Sequence, residues 1–105
     1  MNYDIIERLF EELYAPKLTP FELLENARLS NYISVNFHSE DNYLIGVTKC
    51  FLETGDQAEY IYTFNSENML ISINENIRNE IREIYNRYKE INGLYNKVSI
   101  KNKVI

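Results

Sequence analysis

Between positions 32 and 73 the chain alternates apolar and polar side chains in four runs, 32–38, 43–52, 58–64 and 69–73. The polar connectors SEDN, TGDQ and NSEN lie between them. A period of two puts alternate side chains on opposite faces of a sheet, and connections this short join antiparallel neighbours. A four-stranded antiparallel meander is the economical topology.

Opposed residues in an antiparallel pair share a face, so turn length decides which face each residue occupies. Three turns give one consistent surface: residues 39–41, a two-residue type II′ turn at Gly55-Asp56, and Ser66-Glu67. That surface carries Ile33, Val35, Phe37, Tyr43, Ile45, Val47, Phe51, Tyr60, Tyr62, Phe64, Met69, Ile71 and Ile73, with Lys49 alone out of place. Each large apolar side chain contributes about 1.5–3 kcal/mol when buried. The ladder Tyr60, Tyr62 and Phe64 is therefore expected to face inward beneath the helices. It is not expected to offer a stacking platform for a base or sugar.

On this register the reverse face carries Tyr32, Ser34, Asn36, His38, Leu44, Gly46, Thr48, Cys50, Leu52, Ile61, Thr63, Leu70 and Ser72. A water-facing sheet surface normally alternates to polar. Leu44, Cys50, Leu52, Ile61 and Leu70 break that pattern and mark a contact surface. Either a helix or the C-terminal tail covers it, or it packs on a second copy or another protein.

Helices flank the strands. Ile6, Leu9, Phe10 and Leu13 share one face of a helix over 3–14, which Ala15-Pro16 ends. The stretch LTPFELL supplies a capping box: Thr19 caps, Pro20 takes the first helical position, and Glu22 the third. Leu18 and Leu23 form its hydrophobic staple, and the helix reads on to about residue 29. Ile77, Ile81, Ile84, Tyr85, Tyr88 and Ile91 form a helical stripe over 75–91, with Asn92-Gly93 as its stop. Residues 94–105 read as a short fifth strand or a flexible basic tail. The expected architecture is α+β in a single domain of 1–105: two N-terminal helices, a four-stranded meander sheet, and a long C-terminal helix packed on one sheet face. Fourteen asparagines read as a compositional bias, so single asparagines are given no positional meaning.

Composition narrows the function classes. A chain of 105 residues can bury one core without metals or disulfides. Its apolar runs are too short to span a bilayer, MNYDIIERLF lacks a basic signal-peptide start, and Cys50 is the lone cysteine. A cytoplasmic location is the expectation. Net charge is −5, spread unevenly: residues 30–70 hold six acids against Lys49, while residues 71–105 hold four acids against seven bases. Such polarity governs encounter and partner choice.

Chemistry-bearing patterns are sparse. His38 beside Ser39, Glu40 and Asp41 reads as a polar turn, because neighbours on a strand point to opposite faces and make no nucleophile–base pair. Cys50 reads as a small core or interface residue, and no glycine-rich phosphate loop is present. Arg78 and Arg82 read as intrahelical partners of Glu80 and Glu83. A negative net field opposes direct binding of nucleic acid.

The reading is a small acidic, non-catalytic protein-binding module of the inhibitor, adaptor, immunity or anti-defence kind, as a homodimer or with a protein partner, needing no cofactor, metal or membrane. Its expected contact residues are Tyr32, Leu44, Cys50, Leu52, Ile61 and Leu70, with Glu40, Asp41, Asp56 and Glu59 steering encounter. A nucleic-acid-associated module using the basic C-terminal segment is the alternative, and an enzyme the third.

Overall fold

The computed structural model describes residues 3–14 and 17–103. Five strands form one antiparallel meander in chain order: β1 (Tyr32–Glu40), β2 (Tyr43–Phe51), β3 (Gln57–Phe64), β4 (Leu70–Ile77) and β5 (Glu80–Asn86). Helix α1 (Tyr3–Tyr14) and helix α2 (Pro20–Glu25), continued by a 3₁₀ turn (Asn26–Arg28), precede the sheet, and α3 (Arg87–Lys103) follows it. The architecture is α+β with an antiparallel sheet and a C-terminal helix, but the sheet has five strands where four are expected.

The fifth strand lies where the isoleucine stripe suggests a helix. Arg78 and Asn79 both take positive φ, 53° and 67°, and close a two-residue turn whose twist suits a hairpin. Ile84 is an extra residue in β5, since Ile73 pairs with Tyr85 and Asn74 with Glu83. A bulge of this kind shifts the alternation by one. It gives Ile77, Ile81 and Ile84 the spacing of a helix. Arg78 and Arg82 accordingly pair across the sheet, with Asp56 and Glu75, and not along a helix.

Helix α3 takes in Asn92-Gly93 and residues 94–103, where a stop and a tail or strand are expected. It packs chiefly on α1 and not over a sheet face. Ile91 and Leu94 are buried, and the Arg87 guanidinium donates to the Leu13 carbonyl at 2.8 Å. The molecule is 53 Å long. Eight strand residues span roughly 26 Å, and seventeen helical residues span roughly 26 Å. Laid end to end these two lengths match the long dimension. The proline break expected at Ala15-Pro16 lies outside the described residues.

Register is the second correction. The first hairpin turns on two residues, Asp41 and Asn42, both at positive φ, which places Phe37 opposite Gly46. The second closes through five residues: Gly55 N–H donates to Leu52 O at 2.9 Å, Leu52 N–H donates to Asp56 O at 2.8 Å, and Phe51 pairs with Gln57. Both turns differ by an odd number from the expected ones, so every β2 side chain changes face. Leu44, Gly46, Thr48 and Cys50 join the aromatic ladder, while Ile45, Val47, Lys49 and Phe51 take the reverse face.

The aromatic face is closed by α2. Thr19 caps as its sequence implies, its hydroxyl accepting the Glu22 N–H at 3.3 Å. Leu23 is 0% exposed and packs with Phe64 and Leu70 at the centre of the core, ringed by Leu18, Val35, Phe37, Leu44, Tyr62, Ile73 and Tyr85. Tyr62 and Phe64 stack with centroids 6.5 Å apart, and Lys17 lies 4.7 Å over the Tyr85 ring. A Cβ on Gly46 would lie 2.8 Å from Leu23 Cδ2 and 2.9 Å from Phe37 Cε1. Glycine is needed here for close approach.

Two substitutions test this contact by chemical denaturation. Leu23→Ala is expected to lower unfolding free energy by about 2–5 kcal/mol, the range for a large-to-small core change. Gly46→Val is expected to lower it by about 1–3 kcal/mol through overpacking, and Leu23→Ala added to Gly46→Val to recover part of that loss.

Candidate functional site

Three surfaces emerge from this register. The first is the reverse face of the sheet. Cross-strand pairing builds rows there: Asn36–Val47–Ile61–Asn74–Glu83, then Ser34–Lys49–Glu59–Asn76–Ile81, then His38–Ile45–Thr63–Ser72–Asn86. In β2, β3 and β4 the residues of these rows are half-buried, whereas Thr48, Cys50, Ala58 and Phe64 on the aromatic face are buried.

The second is a polar row across the far end of the aromatic face. Thr48, Tyr60, Glu75 and Arg82 are successive cross-strand partners. The Tyr60 hydroxyl donates to Glu75 Oε2 at 3.0 Å, and Arg82 Nη2 donates to Glu75 Oε1 at 2.8 Å. Beside it Arg78 spans both oxygens of Asp56, with Nη2 at 2.8 and 2.9 Å and Nε at 3.1 Å. Asp56, Glu75, Arg78 and Arg82, with Ile77 and Glu80, line an open groove of about 360 Å³. The Arg78 and Thr54 contacts hold the Asp56 carboxyl below the usual carboxylate range. Each carboxylate in this groove whose bonds are described above, Asp56 and Glu75, accepts hydrogen bonds on both oxygens. The row is a hydrogen-bonded network that links β3, β4 and β5.

The third is the elbow of α2 and the 3₁₀ turn. Leu23 points inward, while Phe21 is 74% exposed, Leu24 56% and Leu29 52%. Glu22 and Glu25 are exposed between them.

The expected contact residues therefore separate. Leu44, Cys50, Leu70 and Tyr32 lie on the aromatic face: the odd turn lengths reverse β2, a register shift between Tyr32 and Ser34 brings Tyr32 opposite Cys50, and another beside Phe64 brings Leu70 opposite it. Burial pushes the Cys50 thiol up, as it does the Tyr32 phenol with Cys50 beside it. Ile61 and Glu59 keep the reverse face, and Leu52 begins the β2–β3 turn. Glu40 ends β1, with its carboxylate 3.4 Å from His38 Nε2, and Asp41 is exposed in the turn. Asp56 is engaged by Arg78. The structure adds to these candidates Ile45 and Val47, reversed with β2, and the exposed Phe21, Leu24 and Leu29. Phe21 and Leu24 flank the staple residue Leu23, and that flanking was the available signal.

Among the described residues no three of His, Cys, Asp and Glu converge as metal ligands would, and no helix is long and apolar enough to cross a membrane. Arg8, Lys89 and Lys97, with Glu90, Gly93 and Leu94, line a cleft of about 190 Å³ between α1 and α3. Comparison with known protein families, curated proteins and solved structures yields no match to this chain.

The tyrosines of the aromatic face make a pH prediction. Tyr60 is pushed up to about 12 by burial and by the bond it donates to Glu75, and Tyr62 to about 12, chiefly by burial. The fold thus favours the neutral phenols over their ordinary value of about 10. That contribution is complete below about pH 10 and lost as pH rises through 12. Tyrosinate absorbance is expected to show a late-titrating group that loses amplitude in Tyr62→Phe, with alkaline unfolding moved to higher pH in the same variant.

Proposed function

We propose that this chain is a non-catalytic protein-binding module that grips its partner through the elbow of α2 and the 3₁₀ turn. The observation that carries this is the exposure of Phe21 and Leu24 on a six-residue helix that Leu23 already anchors, and of Leu29 directly after the 3₁₀ turn. Aromatic and apolar anchors set among polar residues are what recognition surfaces use. Glu22 and Glu25 stand between the anchors, with Arg28 beside Leu29, so the partner offers an apolar pocket bordered chiefly by basic groups. Asp41, Glu53 and Glu67, exposed in the turns, add a negative field that speeds the encounter. Inhibitors, adaptors and immunity or anti-defence proteins work in this way. The engagement of Glu75 and Asp56 on both oxygens supports a role without catalysis.

Affinity capture from the native host with wild type and with Phe21→Ala/Leu24→Ala tests the proposal, followed by calorimetric titration of the purified partner. Each substitution is expected to weaken the complex by about 2 kcal/mol, while thermal stability changes by no more than about 0.5 kcal/mol. Equal affinity for both proteins would remove the elbow as the contact. The alternative draws on the basic cleft between α1 and α3. Retention on DNA or RNA that falls steeply with salt and with Lys97→Glu is its expected signature.

A further inference from the structure

We infer that the reverse face of the sheet is the contact between two copies of this chain, packed sheet to sheet. This surface is separate from the elbow, and the inference does not depend on it. A sheet with apolar side chains on both sides requires a layer on each. Leu23 and its neighbours cover the aromatic side. On the other side Ile45, Val47 and Ile61 occupy the middle of β2 and β3 and remain half-buried. Helices α1 and α3 pack chiefly on each other, with α3 touching only β4 and β5 of the sheet among its main contacts.

The chemistry of this face selects a second copy over a charged partner. Across β2, β3 and β4 its only charges are Lys49 and Glu59, which are direct cross-strand partners and sum to zero. Of the charges nearer its edges, Glu83 is paired with Lys89, and Glu40 lies 3.4 Å from the His38 imidazole. A basic protein finds no net field at the centre of this face. A two-fold contact must complement itself, and a cation beside an anion does so, since each copy can set its Lys49 against the other's Glu59. Thr63, Ser72, Asn74 and Asn76 around the apolar centre both donate and accept, so they can bond to copies of themselves.

The area suffices. Five strands about 4.8 Å apart and eight residues long cover roughly 600 Å² per copy. Two copies then bury roughly 1,200 Å², the lower bound of a standard interface. Packed sheets lie about 10 Å apart with strands within about 30° of each other.

Sedimentation equilibrium of the full chain at micromolar concentration tests this. Wild type is expected at twice the 12.5 kDa chain mass. Ile61→Glu and Val47→Glu are each expected to sediment as monomers while keeping the wild-type far-ultraviolet circular dichroism. Lys49→Glu is expected to raise the dissociation constant at least about tenfold, and Lys49→Glu/Glu59→Lys to restore it. The swap keeps the charge and composition of the face, so it reads the contact even if a glutamate in the apolar centre prevents folding. A wild type that stays monomeric overturns the inference. So does a dimer that survives Ile61→Glu, or one lost in Phe21→Ala but kept in Ile61→Glu and through the Lys49 and Glu59 substitutions.

Discussion

Leu23 resting on Gly46 is the contact on which the architecture depends. A six-residue helix is too short to be stable alone, and α2 persists because its cap starts it and its one inward leucine seats in the sheet. The seat exists because β2 has no side chain at position 46 and because Phe37, directly across from it, closes the rim. Through that contact the N-terminal segment covers Phe64, Leu70 and Tyr62. With the core filled by a single side chain from α2, the other apolar residues of that helix have nowhere to go but outward. The exposed elbow is a consequence of how little helix is used to close this face.

Turn chemistry does the rest. Two tight turns, at Asp41-Asn42 and Arg78-Asn79, and two longer ones ending in left-handed Gly55 and Asn68 connect the five strands. Asn65 organises the last of these, its side-chain oxygen accepting the N–H groups of Glu67 at 2.9 Å and Met69 at 3.0 Å. Asparagine tolerates left-handed backbone better than other non-glycine residues. In a chain with three glycines, Asn42, Asn68 and Asn79 take that role. Asparagines that look like compositional noise are the residues that set register, and register in turn decides which side chains are buried.

The far end of the sheet is held by charge and not by a helix. Arg78 ties the β4–β5 turn to Asp56 in the β2–β3 loop, and Glu75 joins Tyr60 to Arg82 across three strands. Exposed pairs of this kind contribute little to stability. Their effect is to give the outermost strand a defined place. With Glu80, Arg82, Glu83 and a bulge at Ile84, β5 also resists pairing with a further strand.

By itself, the sequence determined what local forces control: the extent of α1, the capping box of α2, the positions of four strands to within a few residues, and the inward direction of Tyr62 and Phe64. These follow from period, capping chemistry and β-branched or aromatic content, all readable within a few residues of each site. The tertiary structure decided what depends on two distant segments at once. Odd changes in two turn lengths, from three residues to two and from two to five, exchanged Leu44 and Cys50 with Ile45 and Val47. A two-residue turn and one bulge made a hairpin from an isoleucine pattern that also fits a helix. Helix α1 joined α3, because an apolar stripe states that a face will find a contact but not against what.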